Sequence, residues 1–434
     1  MVSLADSYDH RAPNTPRRRS ALALPILQAA STLPSTHFTA NPTVLQPNAG
    51  EGFTLFSREA DVQSLYLHVP FCFHKCHYCD FYSLVDADPQ SPDSRQDAFV
   101  DALIAEMGHV ASRCTLKPVT IFVGGGTPTL LRVDLWQRLL DAMRHHGLLD
   151  AVREFTVEAN PETVSLELLD CLAGAGVNRL SIGAQSFNPA HLKTLERWHD
   201  PDKVSHAVVL AQQAGITNVN LDLIFAIPGQ TAGDLQADLQ AALACNPTHL
   251  SCYSLIFEPN TALAVKRNLG QIKPAEETLE RDLYTQVIDC LALAGFEHYE
   301  VSNWAKPGCR CEHNLAYWFN RDYVGLGPSA SSHVQGRRWK NVARLGDYLA
   351  GQPTPPTQDH EQLDPGASLG EQLMLRLRLL EGASRDWLEP RLDAPRRNEI
   401  DELIQLKLLE QTDTHIRLTR QGLYVADALI ARLL

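Results

Sequence analysis

Six short runs of apolar and β-branched residues alternate with helix-like stretches through most of the chain. The predicted strands are residues 64–71, 118–123, 154–159, 179–185, 218–227 and 249–257. Apolar residues repeat at helical spacing between them, as at Phe99, Leu103 and Met107, and the helical stretches include 135–143, 166–172, 204–214 and 235–243. Gly176 and Gly215 each follow a helical stretch, as expected where a helix ends before the next strand. The pattern predicts repeated βα units.

Repeated βα units imply a parallel sheet with right-handed crossover connections. Six units favour an open or partial barrel over a closed barrel of eight strands. A doubly wound sheet has comparable local patterns, so the choice of a barrel depends also on the motifs described below. The predicted fold class is α/β: a partial (β/α)6 TIM-like barrel followed by a small winged-helix-like helical module.

The pattern changes after about Asn341. Residues 352–357 are rich in proline and are typical of a linker. Two helix-like stretches, a short strand and a last helix then resemble a winged-helix module; they are residues 373–380, 399–409, 416–418 and the segment from Thr419. Such modules often bind DNA, but the absence of a dense basic face favours a structural or partner-docking role. We therefore predict a barrel with an extension over 61–345 and a C-terminal domain over 346–434.

The first 60 residues differ in composition from the rest. They are rich in Pro, Ser, Thr and Ala, and they contain three consecutive arginines, Arg17 to Arg19. A disordered leader is the favoured interpretation. A transit peptide is the alternative because such segments are rich in Arg and Ser, although Asp6 and Asp9 argue against it. The expected location is therefore the cytoplasm, with an organelle matrix as the alternative.

Composition limits the classes of function. The chain has 434 residues, 44% of them hydrophobic, and a formal net charge of −13. The length suits a large domain plus a smaller one, and the acidity disfavours nucleic acids and anionic membranes as partners. No apolar run approaches the ~20 residues of a membrane span. The ten cysteines, in a large chain without a secretory signal, do not indicate a disulfide framework, and three that are clustered indicate metal.

Those three, Cys72, Cys76 and Cys79, form a C-x3-C-x2-C motif directly after the first predicted strand. Thiolates are the normal ligands of [4Fe–4S] clusters, and a full set is four. Three thiolates leave one iron open, which the amino and carboxylate groups of S-adenosylmethionine (SAM) could chelate. An electron from the cluster could then break the sulfonium and release a 5′-deoxyadenosyl radical. A zinc site completed by His74 or His77 is the alternative.

A glycine run at residues 124–126 ends the second predicted strand. Barrel active sites lie at this end of the strands, and glycine allows the backbone to approach a ligand closely. Polar side chains recur at the same end: Glu158, Gln185, Arg197 and Asp222. Glu158 could hold a ribose hydroxyl, and Arg197 could pair with a carboxylate. Singly, each is more often a structural residue, but their recurrence with the cysteine motif favours a SAM site over zinc.

Together these motifs resemble the radical SAM family that contains the heme chaperone HemW and the oxygen-independent coproporphyrinogen III dehydrogenase HemN. The resemblance runs from about Leu65 to the C-terminus. The matching stretches are 66–72, 124–129, 181–187, 222–231, 258–261 and 299–318. The resemblance is therefore specific well beyond the three cysteines.

The resemblance implies a role for each matching residue. Cys72, Cys76 and Cys79 would hold the [4Fe–4S] cluster, and Tyr78, between two of them, would pack on the adenine region. The residues implied to contact SAM are Tyr66, Tyr78, Gly125, Gly126, Thr127, Glu158, Gln185, Arg197 and Asp222.

The two subfamilies differ in the cluster loop. The dehydrogenases resemble C-x3-C-x2-C-x-C, and Phe81 occupies the place of their fourth cysteine here. The Cys-Asp-Phe ending resembles HemW, as does the H-N-x-x-Y pattern of His313, Asn314 and Tyr317, which is associated with heme in that subfamily. The resemblance thus implies these three as heme candidates, with His313 able to ligate iron. A lone histidine in a polar loop is more often a hydrogen-bonding residue, and that alternative stays open.

The favoured function is a heme chaperone that binds heme and transfers it to an acceptor protein, and that carries the cluster with an exchangeable SAM. The resemblance implies heme, an acceptor and an electron donor such as a flavodoxin or ferredoxin as partners. The alternative is a coproporphyrinogen III dehydrogenase, which the missing fourth cysteine disfavours. A zinc-bound regulatory protein that uses the C-terminal module is a third hypothesis.

Overall fold

The computed structural model of this chain describes residues 60–91 and 93–434. The predicted leader lies outside the described residues except for Ala60. Within the described part no helix combines the length and the apolar character needed to cross a membrane.

The described strands form one large sheet and three small ones. In chain order they are β1 (Asp61–Val69), β2 (Phe71–Cys72), β3 (Leu84–Val85), β4 (Thr115–Gly125), β5 (Glu154–Ala159), β6 (Arg179–Gln185), β7 (Asn218–Phe225), β8 (His249–Ser254), β9 (Glu297–Glu300), β10 (Asn303–Ala305), β11 (Val324–Leu326), β12 (Ser331–Val334), β13 (Arg337–Asn341), β14 (Thr357–Gln362), β15 (Ala383–Ser384), β16 (Leu409–Gln411) and β17 (His415–Leu418).

The described helices include all five helical stretches predicted between the barrel strands, together with others that the pattern did not predict. In chain order the helices are α1 (Gln96–Ala111), α2 (Val133–His145), α3 (Leu166–Ala173), α4 (Pro189–Leu195), α5 (Asp202–Gln213), α6 (Ala232–Ala244), α7 (Ala262–Asn268), α8 (Glu277–Leu293), α9 (Glu312–Trp318), α10 (Leu345–Ala350), α11 (Pro365–Arg376), α12 (Arg385–Leu388), α13 (Ala394–Gln405), α14 (Arg420–Leu423) and α15 (Ala426–Ala431). The five predicted stretches are α1, α2, α3, α5 and α6. Gly176 and Gly215 have positive φ angles of 98° and 84° after α3 and α5, as expected for glycines that end helices.

The large sheet has the order β11-β1-β4-β5-β6-β7-β8-β10-β9. The six predicted strands are all present, and they are parallel and adjacent in chain order. A doubly wound sheet would reverse its order at a switch point. Sequential crossovers of one hand instead place the helices that connect these strands on the same face, as in a partial barrel. The predicted partial (β/α)6 barrel is therefore confirmed.

Alternate residues of each strand face opposite sides of this sheet. One set is apolar and packs in the main core, as Leu65, Leu67 and Val69 do in β1. The other set is polar, and its members hydrogen-bond to one another between strands. These include the pairs Thr120–Ser64, Arg179–Thr156, Asn220–Ser181 and His249–Asn220. The barrel interior is thus a polar network rather than the branched apolar filling of a closed barrel.

Two edges of the sheet come from segments that periodicity did not reveal. β11 pairs parallel with β1, and β10 pairs antiparallel with β8. A second sheet, β12-β13-β14, follows. Its last strand lies beyond the predicted boundary at 345/346 yet pairs with β13. The division into 61–345 and 346–434 stays a prediction, and β14 joins the two sides of it.

The last 70 residues form five helices, α11 to α15, and a three-stranded antiparallel sheet of order β15-β17-β16. The succession α11, β15, α12, α13, β16, β17 is that of a winged helix. Three details differ from the sequence prediction. The helix predicted at 373–380 ends at Arg376, and the helix predicted at 399–409 ends at Gln405, before Leu409 begins β16. The last predicted helix is two short ones, α14 and α15, with the Thr419 side chain capping the first.

Candidate functional site

The cysteine loop starts where β1 ends. β2 pairs with β3, with Phe71 opposite Leu84 and Cys72 opposite Val85, so both ends of the loop are fixed. Cys76 is buried, whereas Cys72 and Cys79 are partly exposed, and none forms a disulfide. The pairing places three thiols at the carboxyl end of the barrel strands, where barrel active sites lie.

Each thiol has a distinct environment. Thr127 Oγ1 donates to Cys72 Sγ over 3.6 Å, and Arg197 Nη1 donates to Cys76 Sγ over 3.7 Å. Burial is the main cause that raises the pKa of Cys79 to about 12, with contributions from Cys76 and Cys72 and an opposing hydrogen bond with the Phe81 backbone. The hydrogen bonds to Cys72 and Cys76 favour their thiolate forms, and a bound metal group would deprotonate coordinating thiols outright.

No three His, Cys, Asp or Glu side chains in the described ranges are arranged to hold a metal ion. A [4Fe–4S] cluster is larger than one ion, and its thiolates stand further apart around it. The donor set of three thiols, with no fourth cysteine in the loop, fits three of the four irons of such a cluster.

The glycine run forms the adjacent wall, and space around it is very limited. Gly125 has a φ of 103°, and a Cβ there would lie 2.5 Å from the His68 ring. A Cβ on Gly126 would lie 2.6 Å from the carbonyl oxygen of Phe71 and 2.7 Å from that of Val69. Backbone oxygens cannot rotate away, so glycine is required here.

Two of the predicted SAM residues are acidic and lie close together in the barrel. Glu158 Oε2 accepts a hydrogen bond from the Gly125 amide over 3.1 Å. Burial raises the pKa of Glu158 to about 8, and the nearby charge of Asp222 contributes. Asp222 accepts from Asn220 Nδ2 over 2.7 Å, and burial raises its pKa too. Both carboxyls are thus poised to hydrogen-bond a ligand's hydroxyl groups.

Gln185 and Arg197 meet at the end of β6. Gln185 has a φ of 64°, and β6 shifts its register against β7 between Gly183 and Gln185. Arg197 Nη2 donates to the Gly183 carbonyl over 2.9 Å, while its Nε is buried without a partner among the described residues. Unpaired buried donors are rare in proteins, so this guanidinium is arranged to receive an additional acceptor such as a carboxylate.

Two tyrosines lie at opposite sides of the site. His68 Nε2 donates to the Tyr82 carbonyl over 2.9 Å, so in the neutral ring Nδ1 carries no proton. His68 Nδ1 therefore accepts a hydrogen bond from the Tyr66 hydroxyl over 3.1 Å. Burial lowers the pKa of His68 to about 4, which keeps the ring neutral. Tyr78 packs on a separate apolar cluster that includes Leu195. The structure thus gathers the cysteines, the glycine run, Thr127, Glu158, Gln185, Arg197, Asp222 and both tyrosines around one end of the barrel.

The heme candidates lie beneath this group, in and around the barrel. His313 is 1% exposed; its Nδ1 lies 2.9 Å from Thr120 Oγ1, and its Nε2 lies 2.9 Å from the Tyr317 hydroxyl. The ring stacks on Phe122, with centroids 5.4 Å apart. Burial lowers the pKa of His313 to about 3, with a contribution from the charge of Arg179. Both ring nitrogens are therefore occupied, and axial ligation of heme would require Tyr317 to release Nε2.

The H-N-x-x-Y segment is held by a residue that sequence reasoning missed. Glu154, at the start of β5, accepts from the amides of Glu312 and His313 over 2.7 and 2.9 Å. It thereby caps the first turn of α9. Asn314, the third candidate, is partly exposed on the same helix. Alternation in β5 was the available signal, since it places Glu154, Thr156 and Glu158 on one face.

Comparisons with known proteins agree with this arrangement. Residues 66–242 match the model of the radical SAM superfamily. The chain is 35% identical to the heme chaperone HemW of Lactococcus lactis, over 86% of this chain and 97% of that protein. It is 37% identical to HemW of Mycobacterium tuberculosis, over 85% and 94% respectively.

Among solved structures, coproporphyrinogen III oxidase (HemN) of Escherichia coli, a radical SAM enzyme, superimposes with a TM-score of 0.75 at 23% identity. The match covers 88% of this chain and 91% of that one, so the fold extends beyond the barrel into the C-terminal module. With HemW relatives aligned over nearly their whole length, the chain belongs to the HemW family of radical SAM proteins.

Proposed function

We propose that this protein is a heme chaperone, which binds heme and transfers it to an acceptor protein. Cys72, Cys76 and Cys79 hold a [4Fe–4S] cluster whose open iron takes an exchangeable SAM. The observation that carries the proposal is the identity of residue 81, at the end of the cysteine loop. Phe81, 68% exposed, occupies the place where the dehydrogenases have a fourth cysteine. The similarity to HemW relatives over most of the chain supports the same conclusion.

When bound, the cluster and SAM supply one-electron chemistry, and the protein supplies binding and shielding. Arg197 would pair with the SAM carboxylate through its Nε, which has no partner among the described residues. Glu158 and Asp222 would hold the ribose hydroxyls, and Gly126 would let the backbone approach the ligand. The polar interior beneath them keeps these carboxyls hydrogen-bonded, as in the contact of Asp222 with Asn220.

The further partners follow from this role. Heme is the cargo, an acceptor protein receives it, and a flavodoxin or ferredoxin reduces the cluster. The net charge of −13 disfavours general binding to nucleic acids. The cytoplasm is the proposed location. His313, Asn314 and Tyr317 are retained as heme candidates that the experiment below examines.

The test uses the full chain, purified and reconstituted without oxygen. Iron, sulfide and bound heme are measured on the same sample, beside a decarboxylation assay with coproporphyrinogen III and SAM. We expect about four irons per chain, a stoichiometric heme absorbance band and no decarboxylation. Porphyrinogen turnover with little heme retention would overturn the proposal in favour of a dehydrogenase, and zinc without sulfide would favour a regulatory protein.

Matched cysteine variants test the cluster ligands. Cys72→Ser, Cys76→Ser and Cys79→Ser should each lose most of the iron and sulfide. Cys171→Ser, which changes a partly exposed thiol on α3, should keep both. His313→Ala measures whether heme depends on the H-N-x-x-Y motif. Equal iron content in the loop variants and the control would refute the ligand assignment.

A further inference from the structure

A cleft lies beside the cysteine loop and shares Arg197 with the SAM site described above. It runs between α4 and the loop of residues 196–201 and has a volume of about 350 Å³. Its walls include Leu192, Lys193, Trp198, His199 and Pro201. Small-molecule sites are clefts of roughly 300–1,000 Å³ that are mainly apolar with a few placed polar groups. This cleft has that character.

His199 is the unusual residue of the cleft. Both of its ring nitrogens are buried and have no hydrogen-bond partner among the described residues. By contrast, His68, His249 and His313 each have both nitrogens partnered. Burial lowers the pKa of His199 to about 4, so the imidazole is neutral at pH 7. Buried polar groups without partners are rare, and a neutral imidazole is a common metal ligand.

An aromatic surface adjoins this imidazole. Trp198 is 57% exposed, and its ring stacks on His74 with centroids 4.0 Å apart and an angle of 8° between the planes. Leu192 and Pro201 continue the apolar wall. A large exposed indole held flat against a second ring presents a face on which a planar ligand can stack.

The charges at the rim are mixed, and each carboxylate is accounted for. Glu196 accepts from the Trp198 indole over 3.2 Å and lies 3.8 Å from His77. Lys193 is exposed on α4 and forms no ion pair within the described residues. Lys193 is therefore free to pair with a carboxylate that enters from solvent.

The cleft is also connected to the cluster loop. Arg197, which lines the cleft, donates to Cys76 Sγ over 3.7 Å. The His77 amide donates to the Leu195 carbonyl at the end of α4 over 3.2 Å. A change in the cluster loop therefore acts on α4 and on the cleft through two hydrogen bonds.

From this arrangement we propose that the cleft is the heme site, with Trp198 against the macrocycle, Lys193 on a propionate, and His199 as axial ligand once its ring turns one nitrogen out of its buried position. The inference rests on the proposed function, because it names the place where the cargo binds. A cleft at the low end of ligand-site volumes covers only part of a heme, which leaves an edge exposed for transfer to an acceptor. A heme in this cleft would lie next to the proposed [4Fe–4S] cluster.

The test is a hemin titration of the full-length, cluster-reconstituted protein, followed by absorbance in the Soret region. His199→Ala should weaken binding about tenfold or more. His206→Ala, which changes an exposed histidine on α5, should leave it within about twofold of the wild type. His199→Cys should move the Soret band to a position typical of thiolate ligation, an effect that a merely structural histidine would not produce.

Iron and sulfide are measured on every variant, so that loss of the cluster is recognised. Trp198→Ala and Lys193→Glu should each weaken heme binding. The iron content of Lys193→Glu should stay unchanged, because Lys193 is exposed on α4. If the wild type binds heme and the His199, Trp198 and Lys193 variants bind it equally well, the assignment of the cleft as the heme site is refuted and the proposed function stands. If the wild type binds no heme, the proposed function fails as well.

Discussion

Glycine at position 126 is required by the atoms around it. The Phe71 and Val69 carbonyl oxygens would lie 2.6 and 2.7 Å from an added Cβ, and both belong to the backbone that leads into the cysteine loop. The Gly126 amide also donates to the Val69 carbonyl over 2.8 Å. The residue therefore fixes the distance between the glycine run and the loop.

We expect Gly126→Ala to destabilise the fold by roughly 1–3 kcal/mol, as overpacking does, and to reduce the iron retained after reconstitution. Thermal unfolding and iron analysis measure the two effects. Gly346→Ala in α10 is the matched control, because nothing lies within 4 Å of the added Cβ. Equal iron retention and melting temperature in both variants would contradict the argument.

The pair of His313 and Tyr317 offers a second prediction at this scale. Tyr317→Phe removes the hydroxyl that lies 2.9 Å from His313 Nε2. A buried polar group without its partner costs about 1–3 kcal/mol, so the free energy of unfolding should fall by that amount. If heme lies in the cleft at His199, heme affinity should not change.

Chemical denaturation and hemin titration of Tyr317→Phe measure these effects. Tyr424→Phe is the control, because the Tyr424 hydroxyl contacts Thr285 at a partly exposed position. Its stability should change by less than about 0.5 kcal/mol. A large gain or loss of heme affinity in Tyr317→Phe alone would instead indicate that the H-N-x-x-Y motif touches the heme.

At the scale of elements, α1 is joined to the extension by a buried acid. Glu106 accepts from Gly327 N over 2.9 Å, Asn341 Nδ2 over 2.6 Å and the Tyr348 hydroxyl over 2.6 Å. Burial raises the pKa of Glu106 to about 7, even though these three donors lower it. This carboxyl connects a barrel helix to β13, α10 and the turn after β11.

The raised pKa predicts the direction of a pH effect. The folded chain binds more protons than the unfolded chain between the ordinary pKa of a glutamate and about pH 7. The stability that Glu106 contributes is thus fully present at low pH and is lost as the pH rises through about 7. Relative to Glu106→Gln, the wild type should lose roughly 1–3 kcal/mol between pH 5 and pH 8.

Denaturant unfolding at both pH values measures this difference. Glu167→Gln, at an exposed position in α3, is the control and should follow the wild type at both pH values. If Glu106 instead stays ionised in the folded chain, the stability difference between wild type and Glu106→Gln should not change with pH. That result would refute the prediction.

For the whole molecule, the winged-helix topology raises the question of DNA. Residues 365–434 contain ten Lys and Arg residues against eleven Asp and Glu residues. The arginines of α13 are already used within the module. Arg396 donates to the Leu433 and Leu434 carbonyls over 2.9 Å, and Arg397 donates to the Glu389 carbonyl over 3.3 Å. A helix without free cations lacks the phosphate contacts that dominate DNA affinity.

We therefore expect no retardation of duplex DNA in a mobility-shift experiment at physiological salt. A saturable shift that falls steeply with salt would contradict this and would show that the module binds phosphates. Protein reconstituted with iron and sulfide and protein left without them should behave alike, because the module lies apart from the cysteine loop in sequence.

Much of this molecule is determined by its sequence. Alternation fixed which segments become strands, and short βα connections made the strands parallel and sequential, because such units cross over with one hand. The spacing of Cys72, Cys76 and Cys79 and the glycine run indicated the cluster site for a similar reason, since both are local features whose chemistry depends on near neighbours.

Only the tertiary structure decided the rest, because it depends on contacts between residues far apart in the chain. β11 reaches the barrel edge through its pairing with β1, and no local periodicity marks so short a strand. The sequence could not show that His313 is enclosed by Thr120 and Tyr317, or that the ring nitrogens of His199 have no hydrogen-bond partner in the described part of the chain. The environment of each histidine comes from packing, and it is this environment that distinguishes a structural imidazole from one that is free to bind.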